Sequence, residues 1–64
     1  MRLVDTVNKY RIYTLDLDEA IYFDRAYPCF VCWHPSNDDQ IGNMSLTENE
    51  SGNLAAMVHW CEEN

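Results

Sequence analysis

The residues with the most chemical potential are three cysteines and two histidines in two short stretches. Cys29-Phe30-Val31-Cys32-Trp33-His34 holds two thiols and an imidazole, and His59-Trp60-Cys61 adds a second imidazole and a third thiol. Two thiolates with a further Cys and a His make a tetrahedral zinc set, and a structural ion helps so short a chain to fold. Cys29, Cys32, His59 and Cys61 are therefore the metal-ligand candidates. The intervening Phe30-Val31 argues against that use. Zinc-binding Cys-x-x-Cys pairs sit on tight turns, whereas this dipeptide favours an extended strand, in which positions i and i+3 point to opposite faces. Cysteine packed as a small hydrophobe accounts for the same residues, so neither a metal nor a cofactor is expected. Covalent haem attachment needs a histidine directly after the second cysteine, and Trp33 intervenes. A redox pair depends on a helix N-terminus to stabilise its thiolate, which an apolar strand does not offer. A Cys-His nucleophile exists in the inventory, but no glycine-rich oxyanion loop or strained elbow accompanies it. The chain reads as non-enzymatic.

Carboxylates dominate the remaining polar residues: eleven Asp and Glu against four Lys and Arg give a formal charge of -7 over 64 residues. With so few cations, direct binding to nucleic acid or to an anionic membrane surface is disfavoured. No apolar run approaches the roughly 20 residues that span a bilayer, and the first ten residues lack the pattern of a secretory signal. An odd number of cysteines fits a reduced compartment, so a cytoplasmic location is expected. Asp16-Leu17-Asp18-Glu19 lacks the glycine and the ligand spacing of a calcium loop, and helix capping explains it without a metal. A spread of carboxylates can serve solubility alone. It can also imitate phosphates, because same-face carboxylates on a strand lie about 6.6 to 6.8 Å apart and those at i, i+4 on a helix about 6 Å apart. Asp16 with Asp18, Asp38 with Asp39, and Glu48 with Glu50 are the candidate phosphate-imitating pairs, and Glu19 and Asp24 join them as candidate partner-binding residues.

These residues need a scaffold, and a chain of this size buries only roughly 60% of its unfolded surface, enough for one small core spanning 1–64. Lys9 to Leu15 alternates as a strand, with Leu3 to Val7 as its extension or an edge. Asp16 and Glu19 have the spacing of a capping box, which predicts a helix over 17–27 halted by Pro28. Cys29 to Trp33 is an apolar run of strand length and is expected to be the central buried strand. Pro35 to Asn43 collects turn formers and reads as an exposed loop, followed by a short strand at Met44 to Leu46. Thr47 with Glu50 repeats the capping-box spacing. Leu54, Met57, Val58 and Cys61 then recur at i, i+3, i+4 and i+7, predicting an amphipathic second helix, with a hairpin turning at Ser51 to Asn53 as the competing reading. The result is an α+β fold with an antiparallel or mixed sheet of about three strands in the order β-α-β-β-α. Both helices are expected on one face, leaving Tyr10, Tyr13 or Trp33 partly exposed on the other.

Short length, the -7 charge, the lack of catalytic machinery and dispersed acids such as Asp16, Asp18, Asp38, Asp39, Glu48 and Glu50 together resemble, as a class, the small acidic inhibitors that bacteriophages encode against host defence, type I anti-CRISPR proteins and other DNA mimics. That resemblance implies a basic nucleic-acid-binding partner, a CRISPR effector complex, whose DNA is excluded by an acidic surface. The competing reading is a small interaction or regulatory module, monomer or homodimer, that binds its partner through an exposed aromatic sheet face while its acids maintain solubility.

Overall fold

The computed structural model describes residues 1–34, 36 and 40–64. Its elements run β1 (Arg2–Val7), β2 (Tyr10–Leu15), α1 (Leu17–Tyr22), β3 (Cys29–Trp33), β4 (Gln40–Ser45) and α2 (Glu50–Glu63). The four strands form one antiparallel sheet in sequence order. The protein is thus a small α+β domain with four strands rather than three, in the order β-β-α-β-β-α. The N-terminal segment is a separate edge strand, because the chain reverses at Asn8 and Lys9. Asn8 takes a left-handed φ of 55°, a conformation that asparagine tolerates better than most residues.

Cys29 to Trp33 is the buried strand that the apolar run predicts. Ile12 pairs with Cys32 and Thr14 with Phe30, while Tyr13 pairs with Val31 and Leu15 with Cys29. Alternation therefore sends Phe30 and Cys32 to one face and Cys29 and Val31 to the other. Each face has its own core. Tyr10, Ile12, Phe30 and Cys32 pack against Met57 and Cys61 of α2, with Leu54 and Val58 alongside. Leu15, Cys29 and Val31 pack against Ala20 of α1, with Tyr13, Phe23 and Trp33 at the margin. The helices consequently cover opposite faces, which corrects the expectation of one covered and one open face. A strand that is apolar at every position leaves no face free for water. Tyr10 is buried rather than exposed, while Tyr13 and Trp33 are half-buried.

Three boundaries also differ from expectation. The first helix ends at Tyr22, well before Pro28, because Asp24 N–H donates to the Ile21 carbonyl and Arg25 N–H to the Ala20 carbonyl, the paired bonds that close a helix through a left-handed residue. Gln40 to Asn43 belongs to β4, since pairing with the buried β3 overrides the weak strand propensity of Gly42 and Asn43. The second helix starts at Glu50 with Asn49 at its N-cap and no side-chain cap bond, so Thr47 and Glu50 form no capping box. Ser51 to Asn53 is helical, which removes the hairpin alternative. Among the described residues, no helix is long and apolar enough to cross a membrane.

One contact ties the two ends of the chain together. The Asn8 amide donates to the carbonyls of Cys61 at 3.0 Å and Glu62 at 3.3 Å, satisfying acceptors that the last turn of α2 leaves unpaired. Asn8→Gly keeps the left-handed backbone accessible and removes both bonds, with an expected loss of about 1 kcal/mol in urea unfolding. Asn8→Ala adds a β-carbon at the same φ and should lose about 1 kcal/mol more. Equal losses for the two variants would show that backbone conformation contributes nothing at this turn.

Candidate partner-binding surface

The antiparallel register decides which carboxylates meet. Leu15 lies opposite Cys29, and Cys29 opposite Ser45, so the last residue of β2, the first of β3 and the last of β4 share one end of the sheet. Asp16, Asp18 and Glu19 leave that end after β2, and Glu48 and Glu50 leave it after β4. The two groups start two strands apart, or about 10 Å. Asp24 follows α1, whose C-cap Phe23 packs its ring against Trp33 at the opposite end of β3. The register thus starts the Asp16–Glu19 and Glu48–Glu50 segments, which carry five of the eight candidate residues, from one end, or rim, of the sheet, with α1 and α2 then covering opposite faces. Asp38 and Asp39 lie outside the described residues.

The rim is held by short-range hydrogen bonds. Asp16 Oδ1 accepts from the Glu19 N–H at 2.8 Å and Glu19 Oε1 from the Asp16 N–H at 3.2 Å, the reciprocal capping box that the sequence predicts. Their charges also favour the positive end of the helix dipole. On the other side of the rim, Ser45 Oγ accepts from the N–H groups of Thr47 and Glu48, and the Asn53 amide donates to the carbonyls of Ser45 and Glu48. Asn49 adopts φ 53° and ψ 47°, and a β-carbon at Gly52 would run into its side-chain amide. Tyr27, Ser45, Thr47 and Glu48 line a recess of about 270 Å³. Tyr27 donates its hydroxyl hydrogen to Asn43 Oδ1 at 3.1 Å.

Some positive charge shares this end, because Arg2 lies opposite Thr14, next to the last residue of β2. Among the described residues, the one ion pair joins the chain's amino terminus to Glu19. Asp16, Asp18, Asp24, Glu48 and Glu50 are all exposed. Arg25 turns inward, and its Nε is buried without a hydrogen-bond partner among the described residues. Apolar side chains accompany the acids on α1: Leu17 and Ile21 are exposed, and Tyr22, one turn after Asp18, is 82% exposed. Tyr22 packs one edge against Phe23, with ring centroids 5.0 Å apart, and leaves the rest of its ring to solvent.

The aromatic sheet face is less available than the sequence suggests. Trp33 packs edge-on against Phe23 and Tyr13, with ring centroids 5.4 and 6.0 Å away. Sequence reasoning missed Tyr22 and Tyr27 as exposed residues. The signal for Tyr22 was present in its i, i+4 spacing from Asp18.

The metal-ligand candidates separate. Cys29 lies on the face of β3 opposite Cys32, as strand alternation requires, and His59 is exposed on α2. Only Cys32 and Cys61 meet, with their Sγ atoms 3.5 Å apart. Among the described residues, no group of three or more His, Cys, Asp or Glu side chains is placed to hold a metal ion. His34 is engaged elsewhere: its Nδ1 lies 2.6 Å from Ser36 Oγ. Burial pushes the Cys32 thiol up to about 12, with the hydrogen bond and charge of Cys61 adding to the rise. Burial also raises Cys29, partly offset by the nearby Arg25 charge.

Two expectations follow from this geometry. Asp24 holds φ 60° and places a negative charge at the C-terminus of α1, so both backbone and dipole favour another residue there. Asp24→Gly should raise stability by about 0.5 kcal/mol in urea unfolding while weakening partner binding; a loss of stability would contradict the strain. Because the folded state keeps Cys29 and Cys32 protonated where the unfolded chain ionises, stability is full below about pH 8.5 and falls as pH rises toward 12. Urea midpoints measured from about pH 7 to 10 should decline in the wild type and decline less in Cys32→Ala. No family model matches the sequence, and no curated protein or solved structure is similar to it.

Proposed function

We propose that this protein is a non-enzymatic inhibitor whose acidic rim occupies the basic nucleic-acid channel of a defence complex, a CRISPR effector, in place of DNA. The feature that supports this reading is the strand register, which starts the segment of Asp16, Asp18 and Glu19 and the segment of Glu48 and Glu50 from one end of the sheet. Channel-lining Lys and Arg recognise phosphate chiefly by charge and spacing, so a rigid array of carboxylates competes on the same terms. Rigidity matters because a surface already ordered loses little entropy on binding. The capping box holds the Asp16 and Glu19 carboxylates, and the Ser45 and Asn53 bonds hold the main chain at Glu48. Asp24 adds support of a different kind, since strain and unfavourable charge retained at one residue accord with a role in recognition. Tyr22 would anchor the contact, while the acidic field accelerates encounter with a positively charged partner.

The alternative, recognition through the aromatic sheet face, is less favoured because Tyr13, Phe23 and Trp33 are occupied with one another. The discriminating experiment is DNA binding by a purified type I CRISPR surveillance complex, read by electrophoretic mobility shift with increasing amounts of this protein. Inhibition is expected at low salt and should weaken at least about tenfold between about 50 and 200 mM salt. A variant carrying Asp16→Asn, Asp18→Asn, Glu19→Gln, Asp24→Asn, Glu48→Gln and Glu50→Gln removes six charges, while the side-chain amides at positions 16 and 19 still offer an oxygen to the capping box. It should fold and fail to inhibit. Undiminished inhibition by the folded variant, or no inhibition by the wild type at any salt, would overturn the proposal.

A further inference from the structure

Cys32 and Cys61 belong to elements far apart in sequence, yet their thiols touch at 3.5 Å inside the core between β3 and α2. A disulfide bond is about 2.05 Å long, so joining them requires the two side chains to close by only about 1.5 Å. Both thiols are buried, but they differ in what borders them. Cys32 forms part of the wall of an apolar cavity of about 320 Å³, bounded also by Gly42, Met44, Ala56, Met57 and Trp60. Cys61 is completely buried and is not part of that wall. The opening exists because Gly42 pairs with Cys32 across the sheet and carries no side chain; a β-carbon there would meet nothing within 4 Å. Cys29 is also completely buried, but in the separate core on the other face of the sheet.

We propose that Cys32 and Cys61 form a directional dithiol site for low-molecular-weight disulfides, with Cys32 reacting first and Cys61 resolving. In the first step the Cys32 thiol loses its proton to solvent, and its sulfur attacks one sulfur of a small disulfide that has entered the cavity. A Cys32 mixed disulfide forms, and one small thiolate leaves and takes up a proton. In the second step Cys61 loses its proton and attacks Cys32 Sγ, expelling the second small thiolate, which is protonated in turn. The two protein thiols are oxidised to one disulfide, and the small disulfide is reduced to two thiols. The product staples the last turns of α2 to the central strand and leaves Cys29 as the free thiol, which accounts for the odd cysteine. Because burial pushes Cys32 up to about 12, exchange should keep accelerating about tenfold per pH unit beyond about pH 9, where an unburied thiol has levelled off.

The test uses the reduced, folded protein with 2-hydroxyethyl disulfide, followed by peptide mapping and intact mass against time. Wild type should lose the mass of two hydrogens, with a Cys32–Cys61 link and an unmodified Cys29. Cys61→Ala should accumulate the mixed disulfide at Cys32, and Cys32→Ala should leave Cys61 unreacted. Gly42→Val, whose β-carbon meets nothing within 4 Å, narrows the opening and should slow the reaction by an order of magnitude while circular dichroism stays unchanged. Modification of Cys29 and Cys32 at equal rates would overturn the proposal, because it would place the reaction in the unfolded chain. A mixed disulfide persisting at Cys32 in wild type, or no reaction until denaturant is added, would overturn it as well. If a variant fails to fold, the transient mixed disulfide trapped by acid early in the wild-type time course decides the order: its mapping to Cys32 supports the proposal and its mapping to Cys61 overturns it.

Discussion

A strand that is apolar at every position must be covered from both sides, and β3 imposes that requirement on the whole molecule. Cys29, Phe30, Val31 and Cys32 are all buried, and each large aliphatic or aromatic side chain among them contributes on the order of 1.5–3 kcal/mol when removed from water. One helix cannot reach both faces. The 14-residue α2 covers the Phe30 and Cys32 side, so the other side falls to the six residues of α1, with Phe23, Tyr13 and Trp33 extending the cover. The acids of α1 thus ride on an element that the core cannot do without. Their placement follows from the same geometry that buries Cys29 and Val31.

That coupling explains how a chain with a small core presents so much negative charge. Asp16 and Glu19 serve the fold and the surface together, because a capping carboxylate is anchored at one oxygen while staying close to solvent. Asp24 is different: it satisfies the end of α1 through its backbone alone, and its side chain gives the helix nothing. Glu48 is fixed through its own main chain, held by Ser45 and Asn53. Charge of one sign destabilises a compact state by self-repulsion. Here the repulsion is spread around a rim, and among the described residues no buried polar or charged residue burdens the core.

Much of the fold could be read from the sequence where a single physical cause dominated. The apolar run marked β3, the i, i+3, i+4, i+7 recurrence marked the buried stripe of α2, and the Asp16–Glu19 spacing marked the start of α1. The failures came where tertiary contacts or unusual backbone decided. Asn8-Lys9 lacks the glycine that usually announces a two-residue turn, so the sequence leaves Leu3 to Val7 open between an extension of its neighbour and the edge strand it is. Asp24 ends a helix in a conformation normally given to glycine, and Gly42-Asn43 is made a strand by its partner. The acidic rim was legible only as residue types. Residues 16 and 48 are brought to one end by antiparallel pairing, and spacing along the chain carries no trace of that.

The strand order has a kinetic consequence. Every strand pairs with its neighbour in sequence, so each step of sheet assembly closes a short loop and costs little chain entropy. The clasp between Asn8 and the last turn of α2, by contrast, spans more than fifty residues. A chain made from its N-terminus can therefore zip its sheet from local contacts, with the Phe30 and Cys32 face left bare until the final helix arrives. Synthesis of that last 14-residue helix then becomes the step that dries the core, and a chain halted before it would display a sticky sheet rather than a partly working protein.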